Sequence, residues 1–354
     1  MCAAAAQDSP ILVGAVVSQS GAHAELAAEY AKGLQRWRDE VNTAGGLLGR
    51  RVELRLLDDA SSAARAAGLY ARLIREDRAD LLVGPYGSAA TLVAAGETER
   101  ARRVMVNGAG PAAAVHSRAP RYLFQTAVPY AAYGAGVLEI AAEAGYRRLF
   151  ILARDDPQSR EMAEATQRAA LKQFSVNSVE IHRVATLDFS PQVARARAAQ
   201  AEAWIAFGDV RDAAEMVKSF KRLDYAPALF FARGASHPRF VALVGQDAEW
   251  SLGVLDYQAL PGAPVHNLDE AQGYVAGVVL AAGVRSAGTL DQERLRAALA
   301  ELELTTMLGE YRVAPESGAQ TGFKPVVVQV RAGLPKQGMP LLPYPQWEER
   351  ATIQ

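Results

Sequence analysis

The apolar positions of this chain change period repeatedly, and each change marks an element. ILVGAVV (11–17) is a continuous apolar run, as expected of a strand buried on both faces. A helix over 22–43 follows, in which Leu26, Tyr30, Leu34, Trp37 and Val41 recur at spacings of four and three and form one core-facing stripe. The same reading predicts strand 51–57, helix 62–76, strand 80–84, helix 88–101 and strand 103–107. A second alternating run predicts helix 130–145, strand 148–153, helix 157–174, strand 178–185, helix 190–199, strand 203–207, helix 210–223, strand 228–232 and strand 252–256. Helices 268–286 and 291–301, the strands GEYRV and KPVVVQV, and an irregular Pro- and Gly-rich tail over 333–347 close the chain. Two such runs predict an α/β protein of two doubly wound, Rossmann-like lobes with parallel sheets, joined through a compact hinge.

Length and charge narrow the possibilities. The 354 residues suit two lobes, and half are hydrophobic, enough for a core in each. A net charge of -1 gives no electrostatic basis for binding nucleic acid or an anionic membrane surface. The apolar stretch 275–284 is too short to span a bilayer and reads as buried helix. Cys2 is the sole cysteine, which excludes a disulfide framework and a cysteine-based zinc site. The head MCAAAAQDSP reads as the end of a processed secretory signal, as a lipoprotein start with Cys2 acylated, or as a plain tail. The first two readings would make it an exported protein.

Catalytic signatures are missing. His23, His116, His182, His237 and His266 form no H-E-x-x-H pair, and there is no G-x-S-x-G elbow or phosphate loop. GAGP (108–111) has only part of a dinucleotide fingerprint. The chain is expected to be no enzyme, with no metal and no cofactor. The prepared places are strand ends, where open α/β sheets bind ligands. VGPYGSAAT offers Tyr86, Gly87 and Ser88, with Ser88 expected as the cap of an Ala-rich helix whose N-terminus suits a carboxylate. VMVNGAGPAAA offers Gly108, Ala109 and Gly110, ARDDPQSREMAEA offers Ser159, AFGDVRDAAEM offers Asp209, and FFARGASHP offers Arg233. Each polar residue here has a plain alternative as a helix cap or a solvated loop group. EVNTAGGLLGRRVELRLLDDAS (40–61) poses a question of its own. Gly45-Gly46 is expected to end the helix, and Asp58-Asp59 to end the strand and cap helix 62–76, with Ser61 and Ser62 as competing caps.

In order along the chain, SQSGA, NTAGGLLGRRVELRLLDDAS, VGPYGSAAT, FQTAVPY and GEYRV…GFKPVVVQV resemble type I periplasmic substrate-binding proteins of ABC transporters for branched-chain and other hydrophobic amino acids. The resemblance implies 11–127 plus 258–325 as lobe 1 and 128–257 plus 326–354 as lobe 2. Residues 1–10 would be a tail or signal remnant, and the lobes would join at crossings near 127, 257 and 325. It also implies a ligand cleft closed by hinge motion, and a membrane permease as partner of a monomeric binding protein. Ser88 would fix the ligand carboxylate, the backbone of Gly108–Gly110 would hold the rest of the head group, and Ser159, Asp209 and Arg233 would contribute from the second lobe. The chain departs from the family pattern twice: Gly110 stands where a threonine is usual, and Arg233 stands near the usual acidic partner of the ammonium. Arginine favours carboxylates, so an aromatic or aliphatic acid without an amine rivals an amino acid. A ligand-sensing regulator or receptor domain on the same fold, for amides or aromatic acids, is the alternative function.

Overall fold

A computed structural model describes residues 9–176, 178–255, 267–336 and 344. Cys2, His266, the crossing expected near 257 and most of the tail lie outside them. The order along the chain is β1 (Ile11–Val16), α1 (Ala24–Thr43), β2 (Val52–Leu57), α2 (Ala63–Arg75), β3 (Leu81–Val83), α3 (Ser88–Ala101), β4 (Met105–Asn107), α4 (Ala113–His116) and β5 (Leu123–Gln125). There follow α5 (Ala135–Glu143), β6 (Arg148–Arg154), α6 (Pro157–Ala170), β7 (Ser175–Val176), β8 (Glu180–His182), α7 (Ser190–Ala198), β9 (Ala203–Phe207), α8 (Val210–Arg222), β10 (Leu229–Ala232), α9 (Pro238–Val244) and β11 (Leu252–Leu255). The last elements are α10 (Leu268–Ala287), α11 (Gln292–Glu301), β12 (Leu304–Thr306), β13 (Gly309–Tyr311), β14 (Val326–Arg331) and β15 (Leu334–Lys336).

The chain divides into two compact units, Met1–Pro129 with Tyr257–Phe323, and Tyr130–Asp256 with Lys324–Gln354. The first unit holds a parallel sheet in the order β2-β1-β3-β4-β5. This is a doubly wound sheet, and its order reverses between β1 and β3. The second unit repeats the pattern as β7-β6-β9-β10-β11, with β8 also on β6, and extends it by the antiparallel strands β14 and β15. Its order reverses between β6 and β9. The core of this unit is aromatic: Trp204 of β9 is fully buried, with ring centroids 4.9 Å from both Phe150 and Phe220.

Helix α10, with the apolar stretch 275–284 in its middle, buries most of its length against the first unit's core. It packs so closely on α1 that a Cβ on Gly273 would lie 2.0 Å from the Tyr30 carbonyl oxygen. The buried residues of α1 are Ala27, Tyr30, Gly33, Leu34, Trp37 and Val41. The expected stripe holds except at Leu26, which is 48% exposed. Leu26 and Ala27 are both in helical phase with Tyr30, and it is the smaller residue that faces inward.

Other expectations need correction. Helix 130–145 is instead a short 3-10 turn, Tyr130–Ala132, followed by α5. The break falls at Gly134, where a Cβ would meet Thr166 Oγ1 at 2.0 Å. The region 178–185 contributes only β8, helix 157–174 stops at Ala170, and β15 lies inside the stretch expected to be irregular. Helix α1 ends at Ala44, after which Gly45 and Gly46 take φ of +95° and +84°, the left-handed exit that a Gly pair permits. Gly273→Ala is expected to cost about 1–3 kcal/mol by overpacking the α1–α10 contact, read as a lower urea midpoint with unchanged slope. An unchanged midpoint would show that the two helices part easily.

Candidate functional site

Each sheet reverses its strand order at one place, and the loops at the carboxyl ends of the flanking strands are where such sheets bind ligands. In the first unit these are the loops after β1 and β3. The loop after β1 is pinned by the aspartate pair that follows β2. The Ser18 hydroxyl donates to Asp59 Oδ1 at 2.6 Å, and the Gln19 N–H and Ser20 hydroxyl donate to the two oxygens of Asp58, each at 2.8 Å. The Ala60 N–H, ahead of these contacts, holds the Asp58 carboxyl below the usual range. The expected capping role therefore belongs elsewhere: Ser62 caps α2, accepting the Arg65 N–H. The aspartates instead tie one strand-end loop to its neighbour.

The loop after β3 leads into α3. Its N-cap is Gly87, at φ +93°, and Ser88 is the first helical residue, one position inside the cap expected for it. Gly87 brings no capping side chain. Ser88 Oγ accepts the Ala112 N–H at 3.2 Å, which leaves its O–H to donate. Gly110, at φ +69°, lies so close that a Cβ would be 2.6 Å from the Gly87 carbonyl carbon and 2.7 Å from Ser88 N. The Gly108–Gly110 loop thus packs directly on the head of α3, and Ala109 is buried within it. The Tyr86 hydroxyl donates to Asp269 Oδ1 at 2.8 Å, and its ring lies 6.1 Å from the rings of His23 and Tyr30.

One buried group serves both loops. The Tyr30 hydroxyl donates to the Gly84 carbonyl at 3.1 Å and accepts the Gly108 N–H at 3.3 Å. It bridges the ends of β3 and β4. Burial pushes its pKa well up, so it stays neutral and keeps both bonds. Beside it Asn107, fully buried, donates to the Ala109 carbonyl and to Gln125 Oε1, 2.9 Å for the latter. Tyr30 and Asp269 were not predicted as site residues. Tyr30 falls on an apolar helical spacing that reads as core, and Asp269 lies far away in sequence.

In the second unit the reversal lies between β6 and β9. Arg154, the last residue of β6, binds the loops on both sides of it: Nε to Asp156 Oδ2 at 2.7 Å and Nη1 to Asp209 Oδ2 at 2.5 Å. Asp212 Oδ2 lies 3.8 Å from the same Nη1. Asp156 caps α6, accepting the Ser159 N–H at 2.9 Å and the Ser159 hydroxyl at 2.8 Å. Asp209 caps α8, accepting the Arg211 and Asp212 N–H groups at 2.8 and 3.1 Å, while Asp212 reaches back to the Asp209 N–H. Burial alone would raise the pKa of Asp156 and of Asp209; the backbone N–H groups and Arg154 outweigh it and hold both below the usual range. His182, at the end of β8, is buried nearby, and that burial pushes its pKa down. Arg233 stands in the turn after β10 with its guanidinium 5.6 Å from the centre of the Tyr133 ring, a cation–π distance. Ser159 and Asp209 are thus drawn together through Arg154, a residue that sequence reading passed over. Among the described residues no group of three His, Cys, Asp or Glu is placed to hold a metal ion.

Both units are doubly wound, and each gathers polar groups in the loops at its order reversal, where sheets of this kind bind ligands. The chain belongs to the periplasmic binding protein family, whose profile matches residues 10–259. It is similar to an amino acid binding protein of Pseudomonas aeruginosa, 25% identical over 201 residues that cover 54% of this chain and 52% of that one. It therefore spans about half the length of that curated relative. Among solved structures it resembles a leucine binding protein from Thermotoga maritima, with TM-score 0.71 and 20% identity over 93% of this chain and 98% of that one. It also resembles a solute binding protein of an ABC transporter from R. palustris in complex with 4-hydroxybenzoate, with TM-score 0.72 and 19% identity over 96% and 99% of the two chains. At these identities the structural likenesses establish the fold.

Tyr30→Phe removes a buried hydroxyl and strands the Gly84 carbonyl and the Gly108 N–H. It should cost about 1–3 kcal/mol of unfolding free energy, measured by urea titration. A stability equal to that of the parent would mean that water or a shifted loop replaces the bridge.

Proposed function

We propose that the chain is the solute-binding component of an ABC importer and captures a small organic carboxylate with an apolar body, a hydrophobic amino acid or a related acid. The observation that carries this reading is the Ser88 hydroxyl at the head of α3. It sits at the sheet's order reversal, where its oxygen accepts the Ala112 N–H and its proton is left to donate. An anion there gains from the helix dipole and from a hydroxyl donor at once. The Gly108–Gly110 backbone lies against the same helix turn, and Tyr86, fixed by Asp269, supplies an aromatic face. Ser159, Asp209 and Arg233 are the second-unit contacts in this reading. Capture by hinge closure, delivery to a membrane permease, export to the periplasm as a monomer, and the absence of catalysis complete the proposal and rest on the family resemblance. A relative that binds amino acids and a structural neighbour that holds an aromatic acid support the ligand class.

A thermal-shift screen of amino acids, aromatic acids, aliphatic acids and amides tests the reading, since a ligand raises stability by RT ln(1 + [L]/Kd). One or more carboxylates should raise the melting temperature, and Ser88→Ala should weaken that ligand by about tenfold or more, the loss of one hydrogen bond to a charged group. If amides stabilise and carboxylates do not, the carboxylate reading is wrong; if Ser88→Ala binds a carboxylate as tightly as the parent, the site is elsewhere.

A further inference from the structure

Two buried amides meet at the base of the first unit's candidate loops. Asn107 and Gln125 are the last residues of β4 and β5 and lie opposite each other in the parallel register. Asn107 is fully buried and Gln125 is 1% exposed. Asn107 Nδ2 donates to Gln125 Oε1 at 2.9 Å and to the Ala109 carbonyl, which Gln125 Nε2 also approaches at 3.4 Å. A carbonyl only accepts, so the bond to Ala109 fixes which way the Asn107 amide is turned. The side chain lies against the end of β3, where a Cβ on Gly84 would be 2.1 Å from Asn107 Oδ1. The Asn107 main-chain carbonyl accepts the N–H and the hydroxyl of Thr126, at 2.9 and 3.3 Å.

This pair decides which way one peptide of the loop faces. The described peptide bonds are all trans, and across a trans peptide the C=O and the N–H point opposite ways. With the Ala109 carbonyl turned inward to the two amides, the Gly110 N–H points away from them. Gly110 is buried, and among the described residues its N–H meets no acceptor. Buried backbone N–H groups are rarely left so. Gly110 also lies close to Ser88 N, at the turn whose hydroxyl is left to donate. Glycines stand on both sides of Ala109, so the backbone itself offers little resistance to a flip of this peptide. Its orientation comes from Asn107 and Gln125.

We infer that Asn107, backed by Gln125, is a positioning residue for the carboxylate site: by holding the Ala109 carbonyl inward it turns the Gly110 N–H outward as a donor beside the Ser88 hydroxyl. Asn107 acts through the loop and does not touch the ligand. The inference rests on the carboxylate reading of the proposed function and concerns the first unit alone.

The test uses the full chain with leucine, isocaproate and 4-hydroxybenzoate as probes, affinities from calorimetry, and the Gly110 amide followed by NMR. In the parent, a bound probe should move the Gly110 amide proton downfield, as a charge-assisted hydrogen bond does. Asn107→Ala should weaken that probe about tenfold and remove most of the Gly110 shift. Adding Ser88→Ala should weaken binding about tenfold further, which a collapsed site would not show. Gln125→Met, which keeps the volume and removes both amide contacts, should act in the same direction, and it decides where Asn107→Ala does not fold. If neither variant folds, the Gly110 amide of the parent decides. Binding that leaves that amide unmoved in the parent overturns the inference and leaves the carboxylate site standing. So does parent-like affinity in folded Asn107→Ala. Weaker binding with the Gly110 shift intact, or with no further effect of Ser88→Ala, shows a structural role only and overturns it too. Binding of none of the three probes overturns the carboxylate reading and this inference with it.

Discussion

The buried hydroxyl of Tyr30 holds the first unit's candidate loops in one frame. It donates to the end of β3 at Gly84 and accepts from the end of β4 at Gly108. Backbone groups just past a parallel strand have lost their ladder partners, and a buried group left unpaired costs more than a paired one contributes. A tyrosine on α1 solves this for two strands at once because α1 and α10 lie backbone to backbone, with Gly273 against Tyr30. The helix pair sets the depth of the hydroxyl, the hydroxyl sets the spacing of the loops, and the loops set where Ser88 and Gly110 meet.

The second unit meets the same need with charge. Arg154 joins the loops after β6 and β9, and each loop aspartate also caps a helix. A neutral phenol suits the first unit, whose joint is buried among apolar side chains and would penalise an ion. Arg154 and Asp209 are only partly covered, so an ion pair there keeps some hydration and has a smaller desolvation cost. The two joints differ in character: one is held by N–H and O–H groups, the other by several acids gathered around a single cation.

The scaffold was legible where information is local. Continuous apolar runs such as ILVGAVV and AWIAF became the buried parallel strands β1 and β9, and the Gly45-Gly46 exit fell where expected. Misreadings came where a residue's partner is distant in sequence. Asp58 and Asp59 looked like caps for the next helix but bind residues 18–20, about forty positions earlier. Ser88 looked like an N-cap because serine favours that position, yet the chain's reversal there needs positive φ, which Gly87 supplies. Arg154 lies one residue beyond the strand expected over 148–153 and showed no role, because Asp209 comes alongside it only once β6 and β9 pair. The groups that hold the candidate residues in place, Tyr30, Asp269 and Arg154, could not be seen without the fold.

The ligand's carboxylate is proposed to be held at the loop ends that Tyr30 joins. Amide hydrogen exchange, compared with and without a carboxylate that raises the melting temperature, tests it most directly, because exchange reports opening residue by residue. Exchange should slow at 87–91 and 108–112 on adding the acid, with Tyr30→Phe reducing the slowing at both segments together. Slowing confined to other segments, with these amides exchanging as fast as in the free protein, would contradict it.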